Sequence, residues 1–179
     1  MQRSDSKRWF SELCFCILTA NSSAELGIKI QRELGEDGFL QMELEELKKA
    51  LKTLGHRFYS KRAEYIVEAR KYAEALKEIV TGVDEFSARE WLVRNVRGIG
   101  YKEASHFLRN VGYFNLAILD RHILSVLEEY GIAKRPKTLT RRRYLEIESK
   151  MREIAEELEM SLGELDLYLW YMKTGKVLK

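Results

Sequence analysis

Cysteine, histidine and proline are scarce in this chain of 179 residues, which has two cysteines, three histidines and one proline. Cys14 and Cys16 are two positions apart on a predicted apolar helix, so their side chains point to different sides. Together with histidines that lack ligand spacing, this pattern predicts no metal site and favours buried thiols in a reducing compartment. The lone proline, Pro136, and long stretches of helical periodicity predict an all-α protein.

Long apolar runs and a strong excess of charge are also missing. No stretch is long enough to span a membrane and no signal-peptide pattern is present, so we expect an intracellular protein without a membrane partner. The formal net charge is only +3, so a nucleic-acid-binding surface must come from local clusters of cations. A chain of this length is able to bury one core, or two small lobes around a cleft.

Helical periodicity covers most of the chain, and no internal repeat or low-complexity linker interrupts it. The stripes of apolar residues along these segments are typical of core faces. The predicted helices span approximately residues 7–20, 23–34, 42–54, 60–80, 87–96, 101–111, 120–130, 140–159 and 162–173.

A short glycine hairpin lies between two of these helices. Gly98 and Gly100 allow backbone conformations and close approaches that other residues do not, and Ile99 has the apolar character to pin the turn. The free amides at the start of the second helix lie at the positive end of its dipole and suit a phosphate. We interpret residues 88–111 as a helix-hairpin-helix, which binds a nucleic-acid backbone without reading its sequence.

Two chemically active groups follow the hairpin. Lys102 stands in the first turn of the next helix, and Asp120 comes eighteen residues later, just before another apolar helical pattern. Taken singly, these are a solvated lysine beside a glycine cap and an aspartate that caps a helix. If the stretch between them reverses the chain, an amine, a carboxylate and a bound phosphate meet in one small volume.

The run from Val96 to Ala104, followed by residues 119–123, resembles the signature of the helix-hairpin-helix DNA glycosylase superfamily. Members that possess the lysine are bifunctional glycosylase/AP lyases. Arg97 departs from the pattern, since proline often precedes the first hairpin glycine. The chain lacks the four cysteines of the iron–sulfur branch and is too short for the eukaryotic-type enzymes. It is therefore most similar to the archaeal-type 8-oxoguanine DNA glycosylase/AP lyases, over nearly its whole length.

This resemblance implies a base-excision repair enzyme, expected to be a monomer, that acts on double-stranded DNA containing 8-oxoguanine or abasic sites. Lys102 would attack C1′ of a flipped-out nucleotide to form a Schiff base, which then cleaves the strand by β-elimination. Asp120 would stabilise the positive charge on the sugar and orient or deprotonate the lysine. None of these steps requires a metal or a redox cofactor.

The resemblance also implies how this single glycosylase unit, residues 1–179, is organised. Two helical lobes would flank the active cleft, a common position for ligand sites. One lobe would combine residues 1–24 with 115–179. The other would cover residues 25–114 and contain the helix-hairpin-helix.

Two polar breaks are candidate DNA contacts. The first, at residues 19–23, is typical of a helix stop followed by a serine cap. In the superfamily the matching position supplies an amide that enters the DNA stack as the base leaves, which implies that role for Asn21. In the second break cations alternate with aromatics, so Arg57 and Phe58 would meet phosphates or wedge into the duplex. A solvated loop with anchoring rings is the alternative.

Two residues near the end of the chain are candidates for base recognition. Trp170 offers a broad face for stacking a purine, although a core ring is an equally good interpretation. Lys179 matches the terminal lysine that the family uses to recognise the damaged base, and this assignment depends on the resemblance alone.

Two other functions remain open at this point. One is a cluster-free glycosylase/lyase for another damaged base, such as an oxidised pyrimidine. The other is a non-catalytic helix-hairpin-helix module that only binds DNA. The second is disfavoured because binding a phosphate requires neither Lys102 nor Asp120.

Overall fold

A computed structural model describes residues 2–177, and the side chains from residue 5 onward within that range. Over these residues the chain forms helices joined by turns, and no strand is present. This confirms the all-α prediction. None of these helices is both long enough and apolar enough to cross a membrane. The elements are α1 (Gln2–Thr19), α2 (Ala24–Gln41), α3 (Leu44–Thr53), α4 (Tyr59–Ala69), a 3₁₀ turn (Arg70–Tyr72), α5 (Leu76–Thr81), α6 (Glu85–Asn95), α7 (Tyr101–Asn110), α8 (Arg121–Glu129), α9 (Arg141–Glu157) and α10 (Leu162–Thr174).

Polar caps determine where several helices begin. Ser23 starts α2, Asp84 starts α6 and Thr140 starts α9, each with a side-chain oxygen that accepts a hydrogen bond from a first-turn amide. Ser161 and Glu164 form a reciprocal capping box at α10. These side chains satisfy amides that have no partner within the helix.

By their internal contacts the residues fall into two compact units, 1–107 and 108–179. In the first unit α1 is the central helix, and α2, α4 and α5 pack against it. The α1 residues from Leu13 to Leu18 are completely buried. They include Cys14 and Cys16, which are free thiols as predicted, and burial raises the pKa of Cys14 well above its usual value.

In the second unit α10 packs against both α8 and α9. Apolar side chains of α8 and α9, among them Ile123, Leu127 and Met151, form the core of this unit. Residues 116–119, between α7 and α8, are also buried. The division into lobes 1–24 with 115–179 and 25–114 stays a prediction.

The predicted single helix over residues 60–80 is wrong. α4 ends at Ala69, and α5 begins only at Leu76 after the 3₁₀ turn. At this break the Arg70 guanidinium donates from Nε to the Phe39 carbonyl at 2.8 Å and from Nη2 to the Met42 carbonyl at 2.7 Å. Arg70 thereby satisfies carbonyls at the end of α2, a long-range contact that local periodicity does not contain.

The predicted end of the second helix at residue 34 is also wrong, although a real feature lies there. Gly35 interrupts α2 with φ 62° and ψ −176°, and helical structure then continues to Gln41. Glycine reaches this left-handed φ without the steric penalty that other residues meet. The sequence signal of a stop was therefore present, but the chain only kinks.

We predict that Arg70→Met lowers the free energy of unfolding by about 2 kcal/mol, because two carbonyls lose charge-assisted hydrogen bonds. Chemical denaturation monitored by circular dichroism measures this change. Arg142→Met is the matched control, since the Arg142 side chain is 88% exposed and its removal is expected to leave the free energy of unfolding nearly unchanged. Equal effects of the two substitutions would contradict the assignment.

Candidate functional site

The glycine hairpin joins α6 to α7 and packs on a tyrosine of α4. Gly98 has φ +86°, and a Cβ built there would collide with the Tyr65 ring, 2.9 Å from its Cε2. Ile99 is buried, and its N–H donates to the Val96 carbonyl at 3.3 Å. Glycine at position 98 therefore allows both the left-handed conformation and the close approach of the Tyr65 ring.

Two guanidinium groups hold the Tyr65 ring. Arg62 lies 5.7 Å and Arg97 5.1 Å from the ring centroid. Arg97 also pairs with Glu68 at 3.6 Å. The residue that stands where the superfamily often has proline thus contributes a cation–π contact that supports the hairpin.

Lys102 is held by its neighbour in the first turn of α7. Its Nζ lies 3.0 Å from Glu103 Oε1, and the Lys102 side chain is only 28% exposed. The other carboxylate oxygen, Oε2, accepts a hydrogen bond from the Gly100 amide at 3.2 Å. One carboxylate therefore links the hairpin backbone to the amine. Sequence analysis missed Glu103, although an acid at the third position of a helix is a recognised cap signal.

Gly100 has a different role from Gly98, since its backbone does not adopt a left-handed φ. A Cβ there would lie 3.1 Å from Glu103 Oε2. The small residue leaves room for the Glu103 carboxylate to cap the amide.

Asn21 occupies an exposed left-handed turn between α1 and α2, with φ 57°. Arg62 Nη2 donates to the carbonyl of Ala20 at 2.6 Å, so a buried side chain of α4 holds this turn. Burial lowers the pKa of Arg62, and its Nε has no hydrogen-bond partner. Asparagine tolerates the left-handed conformation better than most residues.

The loop with Arg57 and Phe58 is tied to the same turn. His56 Nε2 lies 2.9 Å from the carbonyl of Leu18, and its Nδ1 accepts from the Phe58 amide at 3.1 Å. Burial lowers the pKa of His56, which favours the neutral ring that these bonds require. The exposed Arg57 guanidinium stacks 4.4 Å from the Phe58 ring centroid. His56 thus links the loop of Arg57 and Phe58 to the end of α1, which leads into the turn of Asn21.

Asp120 is the N-cap of α8, as its position before the apolar pattern predicted. Its Oδ1 accepts hydrogen bonds from the amides of His122 and Ile123, both at 2.8 Å. Its Oδ2 accepts from Trp170 Nε1 at 3.1 Å. Three N–H donors therefore contact one half-buried carboxylate and restrain its position.

Buried polar groups hold the segment that leads to Asp120. Asp166 accepts from the Ile118 amide at 3.0 Å, and Glu148 accepts from the Ala117 amide at 3.0 Å. Asp166 also pairs with Arg109 at 2.9 Å. Burial raises the pKa of Asp166 to about 7, even though Arg109 acts in the opposite direction. Sequence analysis missed these carboxylates, whose only signal was their place on otherwise apolar helix faces.

The remaining predicted site residues are distributed as follows. Lys102 belongs to the first unit, whereas Asp120 and Trp170 belong to the second. The joint action of Lys102 and Asp120 stays a prediction. Lys179 lies outside the described residues.

Within residues 2–177, no group of three or more His, Cys, Asp or Glu side chains is placed to hold a metal ion.

We predict that Gly98→Ala destabilises the protein by about 2 kcal/mol or more, because the new methyl group meets the Tyr65 ring in a strained conformation. Gly112→Ala is the matched control: Gly112 has φ +107°, but a Cβ there meets nothing within 4 Å. Denaturant unfolding of both variants separates collision from backbone strain. If the two losses were equal, the Tyr65 contact would contribute nothing.

Comparison with known proteins identifies the family. A family model for 8-oxoguanine DNA glycosylase matches residues 1–160. The chain is 62% identical over 176 residues to the 8-oxoguanine DNA glycosylase/AP lyase of Methanocaldococcus jannaschii, covering 97% of this chain and 84% of that protein. A relative of the same name from Korarchaeum cryptofilum is 56% identical over 180 residues, covering 99% of this chain and 85% of its own. The crystal structure of the M. jannaschii glycosylase/lyase in complex with 15mer DNA containing 8-oxoguanine is similar, with a TM-score of 0.94 at 61% identity, covering 97% of this chain and 84% of that one. The chain belongs to the 8-oxoguanine DNA glycosylase family.

Proposed function

We propose that this protein excises 8-oxoguanine from double-stranded DNA and cleaves the strand at the resulting abasic site. The observation that supports this most strongly is the 62% identity to a glycosylase/AP lyase over 97% of the chain. Lys102, in the first turn after the hairpin, is the residue that distinguishes a lyase from a binding module. Because the substrate is DNA, we also infer an intracellular location.

DNA binding begins at the backbone. The hairpin of Gly98, Ile99 and Gly100 leads into α7, whose first amides have no partner within the helix and would bind a phosphate. The Gly100 amide is already occupied by the Glu103 carboxylate at 3.2 Å, so a phosphate there competes with Glu103. The turn with Asn21 and the exposed Arg57–Phe58 pair occupy the gap that the extruded nucleotide leaves in the base stack. Their contacts offset an unstacking penalty of about a few kcal/mol.

Chemistry then proceeds at C1′ of the extruded nucleotide. The neutral amine of Lys102 attacks C1′, the bond from C1′ to the base nitrogen breaks, and the base departs with a proton that the amine gives up. The C1′–O4′ bond of the resulting aminal then breaks, O4′ takes up a proton, and the C1′=N imine forms. The resulting imine acidifies the C2′ proton. Loss of that proton expels the 3′ phosphate and cuts the strand on the 3′ side of the lesion.

Asp120 assists by charge. The sugar develops positive charge as the glycosidic bond breaks, and a carboxylate held by three N–H donors is ready to stabilise it without reorganising. The Glu103 carboxylate, 3.0 Å from the Lys102 amine, is placed to accept a proton from the lysine. Trp170 and Lys179 remain our proposed contacts to the damaged base.

The decisive experiment is borohydride trapping on a duplex with one 8-oxoguanine. Wild type is expected to give a covalent protein–DNA band, because borohydride reduces the imine. Lys102→Gln is expected to give none. Lys49→Gln, an exposed lysine on α3, is the control and should retain the band.

Other outcomes overturn specific parts of the proposal. A band from Lys102→Gln would assign the nucleophile to another amine. Trapping only with an oxidised-pyrimidine duplex would retain the mechanism and replace the substrate. A wild type that traps neither a lesion nor an abasic site, yet binds duplex DNA, would be a binding module.

A further inference from the structure

We propose that Trp170 is a positioning residue for Asp120, acting through its indole N–H. This inference rests on the proposed function, because it assumes that the Asp120 carboxylate takes part in the reaction. It adds to any stacking role of the ring, since stacking uses the face of the indole whereas this contact uses its edge.

The geometry explains why a third donor matters. Two amides of α8 hold Oδ1 of Asp120, both at 2.8 Å. These bonds act on Oδ1 alone, so rotations about the Cα–Cβ and Cβ–Cγ bonds still change the direction of Oδ2. The Trp170 N–H, 3.1 Å from Oδ2, fixes that direction. Pre-set orientation is what a charge-stabilising group requires.

The indole itself is held in place. Its ring meets the His122 ring edge-on, with centroids 6.3 Å apart at an interplanar angle of 80°. One turn further along α10, Lys173 pairs with Glu129 of α8 at 3.1 Å. Residues of α8 therefore contact both the Trp170 ring and the helix that carries it. These contacts give the N–H donor a defined direction.

Other charges around Asp120 make the donor more useful. Asp166, which lies on α10 like Trp170, is buried and would repel Asp120 when charged. Arg109 offsets this repulsion by pairing with Asp166 at 2.9 Å. The Trp170 N–H is a neutral donor, so it contacts the Asp120 carboxylate without adding a cation that would pair with it. The Trp170 contact thus orients this carboxylate beside a second acidic group.

Two substrates separate positioning from base stacking. An 8-oxoguanine duplex requires both base recognition and Asp120, whereas a duplex with a preformed abasic site has no base to stack. If Trp170 acts through Asp120, its loss slows imine formation on both duplexes. If it only stacks the base, the abasic duplex is unaffected.

The test is single-turnover borohydride trapping with Trp170→Phe, which keeps an aromatic face and removes the N–H. We expect the rate constant to fall about tenfold on both duplexes, the size appropriate to a hydrogen bond to a charged group. Trp91→Phe is the control, since the Trp91 ring packs on Tyr72 in the other unit, and it should leave both rates unchanged. A loss confined to the 8-oxoguanine duplex, or no loss, would overturn the proposal.

A second test, by NMR spectroscopy, requires neither DNA nor activity, and the variant in which the effect is measured keeps Trp170. The chain has three tryptophans, and Trp170→Phe identifies the indole ¹H–¹⁵N resonance of residue 170. In Asp120→Asn this resonance is expected to move upfield, because its acceptor loses its charge, while those of Trp9 and Trp91 stay in place. An unmoved Trp170 resonance would refute the contact. An inactive wild type with the expected shift would refute the proposed function but not the contact.

Discussion

The amides at the start of a helix require acceptors, and in this protein the acceptors include residues proposed to act in the reaction. At α8 the first amides bind the Asp120 carboxylate, so the same bonds that begin the helix also hold that carboxylate. At α7 the Gly100 amide binds Glu103, which also contacts the Lys102 amine. Helix initiation and the preparation of the site therefore depend on one constraint, the need to satisfy unpaired amides.

A second dependence runs through α4, which supports the predicted DNA contacts of the first unit. Tyr65 packs under the hairpin at Gly98, while Arg62 reaches the turn of Asn21. The two arginine contacts to the Tyr65 ring join these supports into one cluster. A helix without a proposed chemical role thus supports the residues that are proposed to contact DNA.

Local signals in the sequence were enough to predict the helix-hairpin-helix and the cap at Asp120. Each depends on residues close together in the chain, such as Gly98 before a helical pattern. The break after Ala69 and the bond from Trp170 to Asp120 were not predictable in this way. Both depend on side chains that meet across long separations, since Arg70 reaches Phe39 and Trp170 lies fifty residues beyond Asp120.

The most direct test of the central claim is to locate the covalent bond. Wild-type protein is trapped with borohydride on an 8-oxoguanine duplex, the DNA is digested, and the adduct is mapped by tandem mass spectrometry of proteolytic peptides. The account predicts a single deoxyribose-derived adduct on the ε-amine of Lys102. An adduct on another lysine or on the N-terminal amine would contradict it.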